Sequence, residues 1–478
     1  MSSANPEFMR IKQSLHDFVI LANEAEPDAI ENIEKVNKVE IIELPIPDWS
    51  HLPIKHSFNN CYCSPDCIAD LNNEKLLLRP EYQVQYSPYF KPLLYGFVRK
   101  EFVMVFDEKK DSKTLFTELS FDKTIIYQAP CGIRLGQMEN VVDYLKSTKI
   151  DTLSIENFTF SLDVRPQVLA FSDKKHVICE DFSLGKEDVK IPVVNALNNE
   201  EKPNYDYRLG YYPSDEPEVL EAFEKMNNSR SCCSCTDNCL DYNICECKKN
   251  STKKQLLNST NKLMRYKLKT ILKSSTKDAS FVCNEHCKCS KTRCLNRVVH
   301  NKINIPMELF KTVNKGWGAR TLVDLPRGLF VCAYTGQIIT DKRSIEQIKA
   351  FGPDADKYYC WLNLDDGIGP RKSDTSIRNL DDEEETLIDR ENTARFTLDA
   401  KPGGNIAAFF NHSCDPNMQV RYFTNNHDAR LPTVALFTTC YVQAGQELFW
   451  DYGYEVGTVE GRIVLCSCMS PKCRGRLL

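Results

Sequence analysis

The sequence lacks any apolar run of the roughly 20 residues that a helix needs to cross a bilayer, which argues against an integral membrane protein. Its first twenty residues contain no continuous hydrophobic segment, so we expect no secretory signal peptide. No repeat with a period of about 20 to 50 residues is present, which argues against a repeat array. The formal net charge of -5 gives no overall attraction to nucleic acid. We therefore expect a soluble globular chain, and its 478 residues suffice for about three domains.

Cysteine, by contrast, is abundant, with 22 residues. In a reducing compartment, thiols are more often metal ligands than disulfide partners. Cysteines two positions apart cannot readily close a disulfide, but they can direct two thiolates at neighbouring metal ions. Nine cysteines occur in two such bursts: Cys233, Cys235, Cys239, Cys245, Cys247, Cys283, Cys287, Cys289 and Cys294.

The number nine fits a cluster of three zinc ions. Zinc takes four ligands in a tetrahedron, so three ions need twelve contacts, and nine thiolates provide them if three of the thiolates bridge two ions each. Such a cluster carries a net charge of -3. Residues 248–302 contain fifteen Lys or Arg against two acids, and this excess would offset the charge of the cluster.

Two further cysteine groups stand outside these bursts. One closed tetrahedral zinc site is predicted from Cys414, Cys466, Cys468 and Cys473, and it would pin the C-terminal tail to the body of the protein. The other group is Cys61, Cys63 and Cys67, with His56 nearby. That group has two interpretations, a further zinc site or thiols without a metal.

The changing composition divides the chain into segments. Strand patterns at EFVMVF and TIIYQA, followed by a helical pattern at MENVVDYLKS, indicate a small α/β domain, and short apolar runs after Lys302 indicate a mainly β domain. The predicted segments are an N-terminal lead-in with the small cysteine group (1–80), the α/β domain (81–165), an irregular linker that wraps its neighbours (166–231), the cysteine-rich cluster (232–301), the mainly β domain (302–455) with a mobile acidic insert (365–392), and a cysteine-rich tail (456–478).

Four ordered motifs carry a family resemblance: KGWGART, YTG, GNIAAFFNHSCDPN and ELFWDYGYE. Together with the cysteine groups, they resemble the SET domain of lysine methyltransferases with its pre-SET and post-SET zinc modules. YQAPCGIRL followed by MENVVDYL looks like the methyl-CpG-binding-type (MBD) segment of the SETDB family. The resemblance therefore implies a mainly β SET-domain fold with zinc-cluster pre-SET and post-SET modules, preceded by a small α/β MBD-like domain.

The resemblance also implies a function. Members of this family use S-adenosylmethionine to methylate lysine 9 of histone H3, which promotes heterochromatin and transcriptional silencing. The expected partners are the histone H3 tail, nucleosomes and regulatory proteins, and the expected location is the nucleus. Two alternatives stay open, methylation of a non-histone lysine and an inactive chromatin adaptor.

Residue roles follow from the matched motifs. Methyl transfer to an amine is an in-line displacement, so the site must align donor and acceptor, exclude water and keep the lysine uncharged. By resemblance, cofactor binding falls to Gly316, Trp317, Gly318, Asn411 and His412. The catalytic tyrosine is Tyr452, and Tyr334 is the second tyrosine of the lysine channel. Trp450 occupies the position that governs product multiplicity, and a ring without a hydroxyl there favours di- or trimethylation.

The chain also departs from the family pattern. Ala408 stands where many SET domains have Arg or His, and the insert is far shorter than the family's. Gly136 stands near the position of a base-reading arginine in methyl-CpG readers, so we expect no methyl-CpG recognition. Any DNA contact is predicted to be weak, non-specific and due mainly to residues 248–302.

Overall fold

The computed structural model describes residues 40–43, 63–68, 86–107, 119–150, 152–171, 174–228, 232–239, 244–249, 280–291, 294–351, 358–362, 395–424, 430–454 and 464–477. Among them, no helix has the length and apolar character needed to cross a membrane. The predicted mobile insert and residues 250–279 of the basic stretch lie outside the described residues.

Most of the regular structure is β. The strands are β1 (Glu40–Glu43), β2 (Val98–Asp107), β3 (Leu119–Gln128), β4 (Arg134–Leu135), β5 (Val168–Phe171), β6 (Val177–Cys179), β7 (Val193–Val194), β8 (Asp206–Tyr207), β9 (Tyr212–Pro213), β10 (Ser280–Phe281), β11 (Met307–Lys311), β12 (Trp317–Thr321), β13 (Phe330–Tyr334), β14 (Gln337–Thr340), β15 (Tyr359–Trp361), β16 (Phe396–Asp399), β17 (Gly403–Gly404), β18 (Asn411–His412), β19 (Met418–Thr424), β20 (Thr433–Thr438) and β21 (Phe449–Trp450).

Among the described residues, helices are fewer and short. The α-helices are α1 (Lys91–Leu94), α2 (Met138–Thr148), α3 (Pro217–Asn228), α4 (Glu246–Lys249) and α5 (Asp341–Phe351). Among the same residues, 3-10 helices occur at Pro65–Ile68, Ile155–Asn157, Lys174–His176, Leu295–His300, which is kinked at Asn296, and Ile406–Phe409.

The N-terminal module is a three-stranded antiparallel sheet, β2-β3-β4, with α2 packed beside it. Apolar residues at helical spacing give α2 its buried face, which includes Val141 and Tyr144. The ring of Phe97 meets those of Tyr144 and Phe158 edge to face, at 5.6 and 5.3 Å between centroids. The strands predicted at EFVMVF and TIIYQA and the helix predicted at MENVVDYLKS are confirmed by β2, β3 and α2.

An ion pair between a partly exposed arginine and a buried aspartate ties this module to the C-terminal half. Arg165 donates from Nε and Nη2 to the Asp324 carboxylate, at 2.8 and 3.2 Å. Asp324 is fully buried and also accepts from the backbone N–H of Ala444 at 2.9 Å. Such bidentate arginine pairs fix orientation as well as distance.

Segment 166–231 supplies strands to the C-terminal sheets. Strand β7 pairs with β11, β9 with β14, and β8 with β17, all in parallel. Leu169, Ile191 and Tyr207 are buried in the main core with residues of the C-terminal strands. The segment is less irregular than predicted, because it includes α3, whose Val219 and Ala222 face the core at helical spacing.

The C-terminal half stacks several small sheets around this core. Their strand orders are β10-β19-β20-β13, β12-β11-β7-β6 and β15-β16-β14-β9, and the short pairs are β17-β8 and β18-β21. The cysteine bursts form a separate buried cluster with its own packing. The pair β18-β21 brings residues from distant motifs together, so it positions the candidate site.

Candidate active site and metal centres

The NHSC and ELFWDYG motifs meet in a short parallel pairing. Strand β18 runs beside β21, with Asn411 opposite Phe449 and His412 opposite Trp450. The backbone N–H of Ser413 extends the pairing by donating to the Trp450 carbonyl at 3.1 Å. Residues about 40 positions apart in the chain thereby form one wall of a site.

His412 fixes the backbone of the neighbouring tyrosine. Its Nδ1 accepts a hydrogen bond from the Tyr452 N–H at 3.2 Å, and the two rings meet edge to face at 5.3 Å. Because Nδ1 accepts, the proton of the neutral ring lies on Nε2, which is 3.4 Å from Cys414 Sγ. His412 therefore links the tyrosine to the C-terminal cysteine group.

Three aromatic rings line the site. The ring of Trp450 lies between those of Tyr334 and Tyr452, at 5.8 and 5.1 Å between centroids. The Tyr452 hydroxyl and the Trp450 Nε1 both donate to the Phe410 carbonyl, at 3.0 and 3.2 Å. The Tyr334 hydroxyl donates to the Tyr358 carbonyl at 3.1 Å. These bonds hold the rings in fixed orientations.

Burial keeps both tyrosines protonated. It raises the pKa of Tyr334 well above its ordinary value, and it also raises the pKa of Tyr452. Both hydroxyls therefore remain neutral donors at physiological pH. Each hydroxyl oxygen also has acceptor lone pairs, so Tyr452 can donate to Phe410 and still accept a hydrogen bond from a substrate amine.

The two glycines of the GWG motif have different structural reasons. Gly316 has φ +70°, and a Cβ placed there meets no heavy atom within 4 Å, so the turn requires its glycine while space beside it is open. A Cβ on Gly318 would lie 2.7 Å from Glu447 Oε1 and 2.9 Å from both Asn411 Nδ2 and Thr312 Cγ2. The second glycine is therefore required by side chains of the protein itself.

Glu447 connects the KGWGART, NHSC and ELFW motifs, although the sequence analysis predicted no role for it. Its Oε1 accepts from Asn411 Nδ2 at 2.8 Å, and its Oε2 pairs with Lys315 Nζ at 2.8 Å. Asn411 Nδ2 also donates to the Trp317 carbonyl at 3.1 Å. The sequence signal for Glu447 was an acidic residue at the start of the apolar ELFW run, because an ionised side chain among apolar residues needs a partner.

Asn405 and Ala408 lie on the short turn before this wall. Asn405 caps the turn by accepting from the Ala407 N–H, and its Nδ2 donates to the Ala333 carbonyl at 2.7 Å. Ala408 is partly buried against the main core. Asn405 is thus a structural anchor, and the small side chain of Ala408 fits the packing at that point.

The four C-terminal cysteines converge as predicted. The Sγ atoms of Cys414, Cys466, Cys468 and Cys473 all lie within 4.8 Å of one another. Cys414 Sγ is 3.7 Å from Cys466 Sγ and accepts from the Arg474 N–H at 3.4 Å. Four convergent thiols form the donor set of a closed structural zinc site, so these residues fit that metal.

The nine cysteines of the two bursts are all buried, at 6% exposure or less. Three overlapping groups of four have mutually close Sγ atoms: Cys233, Cys235, Cys239 and Cys245; Cys233, Cys245, Cys247 and Cys283; Cys233, Cys239, Cys283 and Cys289. Cysteines shared between groups are what a cluster with bridging thiolates requires. The side chain of Lys248 is buried beside the cluster and donates to the Cys239 carbonyl, which places a positive charge where thiolates collect.

The third cysteine group differs from the predicted one. Cys63 and Cys67 lie close to Cys131, a residue that the sequence analysis did not associate with them. Cys61 and His56 lie outside the described residues.

Comparisons with known proteins match three separate parts of the chain to family models. Family models match the methyl-CpG binding domain at residues 85–167, the pre-SET motif at 183–297 and the SET domain at 316–453. Similar curated proteins include the histone-lysine N-methyltransferase met-2 of Caenorhabditis elegans, 28% identical over 96% of this chain and 41% of met-2. The histone-lysine N-methyltransferase eggless of Drosophila melanogaster is 30% identical over 87% of this chain and 36% of eggless. Mouse histone-lysine N-methyltransferase SETDB2 is 24% identical over 89% of this chain and 80% of its own length.

The chain thus spans well under half of the length of met-2 and eggless. Solved structures that align with it include KRYPTONITE in complex with mCHH DNA, an H3(1-15) peptide and SAH, with 24% identity, a TM-score of 0.46 and coverage of 67% of this chain and 57% of that one. Another is the Neurospora SET domain protein DIM-5, with 24% identity, a TM-score of 0.40 and coverage of 57% of this chain and 98% of that one.

Proposed function

Because the chain belongs to the SETDB-like family of SET-domain histone-lysine methyltransferases, we propose that it methylates a histone lysine with S-adenosylmethionine as the methyl donor. The target that we propose is lysine 9 of histone H3, with transcriptional silencing in the nucleus as the outcome. The observation that carries the proposal is the β18-β21 pairing, which sets His412 opposite Trp450 and lets the His412 Nδ1 accept from the Tyr452 N–H.

The residues beside β12 fit the cofactor. The turn at Gly316 faces open space, and Trp317 next to it presents a partly exposed indole ring suited to contact with a planar base. Gly316, Trp317, Gly318, Asn411 and His412 would hold S-adenosylmethionine. When bound, it supplies an electrophilic methyl group on a sulfonium. Glu447 holds Asn411 in place from behind, so it acts as a positioning residue.

The aromatic rings prepare the incoming lysine. Tyr334, Trp450 and Tyr452 exclude water, and a lysine amine surrounded by apolar rings has a lowered pKa, because burial disfavours its charged form. The neutral amine can then act as nucleophile. The Tyr452 hydroxyl oxygen accepts a hydrogen bond from the lysine amine and so directs the lone pair of the amine toward the methyl group. The Phe410 carbonyl accepts from the same hydroxyl and holds it in place.

Trp450 bears on the number of methyl groups transferred. Its one hydrogen-bond donor, Nε1, is already engaged by the Phe410 carbonyl. The indole therefore offers no donor to hold a water molecule at the amine, which leaves room for a methylated amine to rotate and react again. We propose di- or trimethylation.

A substrate panel tests this function. The purified chain is incubated with labelled S-adenosylmethionine and histone peptides, including an H3 tail in which lysine 9 is replaced by arginine. We expect transfer to the H3 tail, lost with that replacement. Transfer that persists without lysine 9 identifies another lysine as target, and no transfer to any substrate indicates an inactive adaptor.

Tyr452→Phe is the decisive variant. It should retain cofactor binding but lose at least about 10²-fold in transfer rate, the usual effect of removing one positioned polar group. The matched control is Tyr127→Phe, which removes a buried hydroxyl, bonded to the Thr159 carbonyl at 3.2 Å, in the N-terminal module. Similar rates for Tyr452→Phe and the control would contradict the assignment.

A further inference from the structure

The N-terminal cysteine segment docks on the MBD-like module through a convergence of thiols. Cys67 lies in the short turn Pro65–Ile68, and Cys63 precedes that turn by two residues. The Cys67 N–H closes the turn by donating to the Ser64 carbonyl at 3.1 Å. Cys131 lies more than sixty positions later, in the turn that follows β3. The Sγ atoms of all three cysteines lie within 4.8 Å of one another.

Both sides of this convergence are well anchored. Cys131 is buried, and its turn is closed by the Gly132 N–H donating to the Ala129 carbonyl at 2.8 Å, with Gly132 at φ +91°. Cys63 and Cys67 are partly buried and pack against the core of the MBD-like module. The three thiols are therefore held together by two independent local structures.

The chemistry of three convergent thiols favours a metal over a disulfide. A disulfide would use two sulfurs and leave the third beside it, whereas a metal ion uses all three. Thiolate ligands select zinc and other thiophilic metals and reject calcium and magnesium. The Tyr144 hydroxyl lies 3.8 Å from Cys131 Sγ, where it can donate to a thiolate and help to hold its negative charge.

We propose that Cys63, Cys67 and Cys131 bind a zinc ion, separate from the pre-SET cluster and the C-terminal site. The three thiolates leave a fourth coordination position for a water molecule or another ligand. The ion fastens the segment around residues 63–68 to the MBD-like module across a long chain separation. The stability of that module then depends on metal, and this proposal is independent of the methyltransferase activity.

Metal analysis of the full chain tests the site. The zinc content per chain is measured by native mass spectrometry for the wild type, Cys131→Ser and Cys67→Ser. We expect each variant to hold one zinc ion fewer than the wild type. The matched control is Cys179→Ser, a partly buried cysteine that belongs to none of the close thiol groups among the described residues, and it should keep the full content.

Cys67→Ser guards against misfolding, because that residue is only partly buried. As a second measurement, cobalt(II) replaces zinc, and its thiolate-to-metal charge-transfer absorption should fall in both variants relative to the control. An unchanged zinc content in both variants overturns the proposal. A second result also overturns it: a wild-type mass two hydrogens below that of the fully reduced chain, where both variants lose this difference but keep their zinc. That pattern identifies a disulfide.

Discussion

The substitution Gly318→Ala probes the contact between the GWG turn and the network of Glu447. The added Cβ would lie below 3.0 Å from Glu447 Oε1, Asn411 Nδ2 and Thr312 Cγ2. Glu447 is also paired with Lys315, with both side chains at 15% exposure or less, so the carboxylate cannot move away without losing that partner. The substitution must therefore distort the network that joins the three motifs.

The expected cost follows from two effects. Overpacking of a tight site costs about 1–3 kcal/mol. Loss of the hydrogen bond between Asn411 and the charged Glu447 adds roughly 1.5–3 kcal/mol, although partial relaxation makes the two costs overlap. We expect the free energy of unfolding to fall by about 2–4 kcal/mol and the affinity for S-adenosylmethionine to fall with it.

Urea unfolding and calorimetric titration with S-adenosylmethionine measure the two effects. Gly136→Ala is the control, since a Cβ there meets nothing within 4 Å. The double variant Gly318→Ala with Glu447→Ala should cost less than the sum of the single variants, because one clash disappears with the carboxylate. A Gly318→Ala protein with wild-type stability and cofactor affinity would refute this account of the glycine.

Three further predictions concern metal, DNA and pH. Cys468→Ser should remove one zinc ion and lower methyl transfer, because Cys414 of the same group adjoins His412; metal analysis and the transfer assay check this, and full activity with the zinc lost would contradict it. The full chain should bind methylated and unmethylated DNA with affinities within tenfold of each other, since Gly136 is exposed and offers no base-reading fork. The affinity should also fall steeply with salt, because phosphate contacts release counterions, and titrations at two salt concentrations decide it. Burial raises the pKa of Glu156 from 4.5 to about 7, so between these pH values the folded state binds a proton that the unfolded state has lost, and the free energy of unfolding should fall as pH rises. Glu156→Gln should flatten this pH dependence as measured by urea unfolding, and an unchanged slope would refute the assignment.

The C-terminal zinc group gives the candidate active site a metal-dependent support. Cys414 lies two residues after His412, and the His412 Nε2 is 3.4 Å from its sulfur. Arg474 of the tail also pairs with Asp451, next to Tyr452, at 3.1 Å. The tail therefore contacts Cys414 and Asp451, which follow strands β18 and β21, and this explains why a structural metal at this place would affect catalysis.

The amino-acid sequence alone determined the chemistry that depends on residue type and short spacing. Closely spaced thiols favour metal ligation over a disulfide, and the cysteine groups at Cys233–Cys294 and at the C-terminal tail converge as their spacing predicted. The helix α2 and strands β2 and β3 were also predictable, because their apolar periodicity is local.

Tertiary structure decided the contacts between distant segments. The approach of Cys131 to Cys63 and Cys67, the pairing of Glu447 with Asn411, and the strands that segment 166–231 adds to the C-terminal sheets all join residues far apart in the chain. The local sequence pattern does not identify such partners. The hydrogen-bonding groups of a strand edge or of a buried carboxylate can be satisfied by any suitable group that folding brings near. The same holds for Gly318, whose glycine is required by side chains from two other motifs that reach it only in the folded protein.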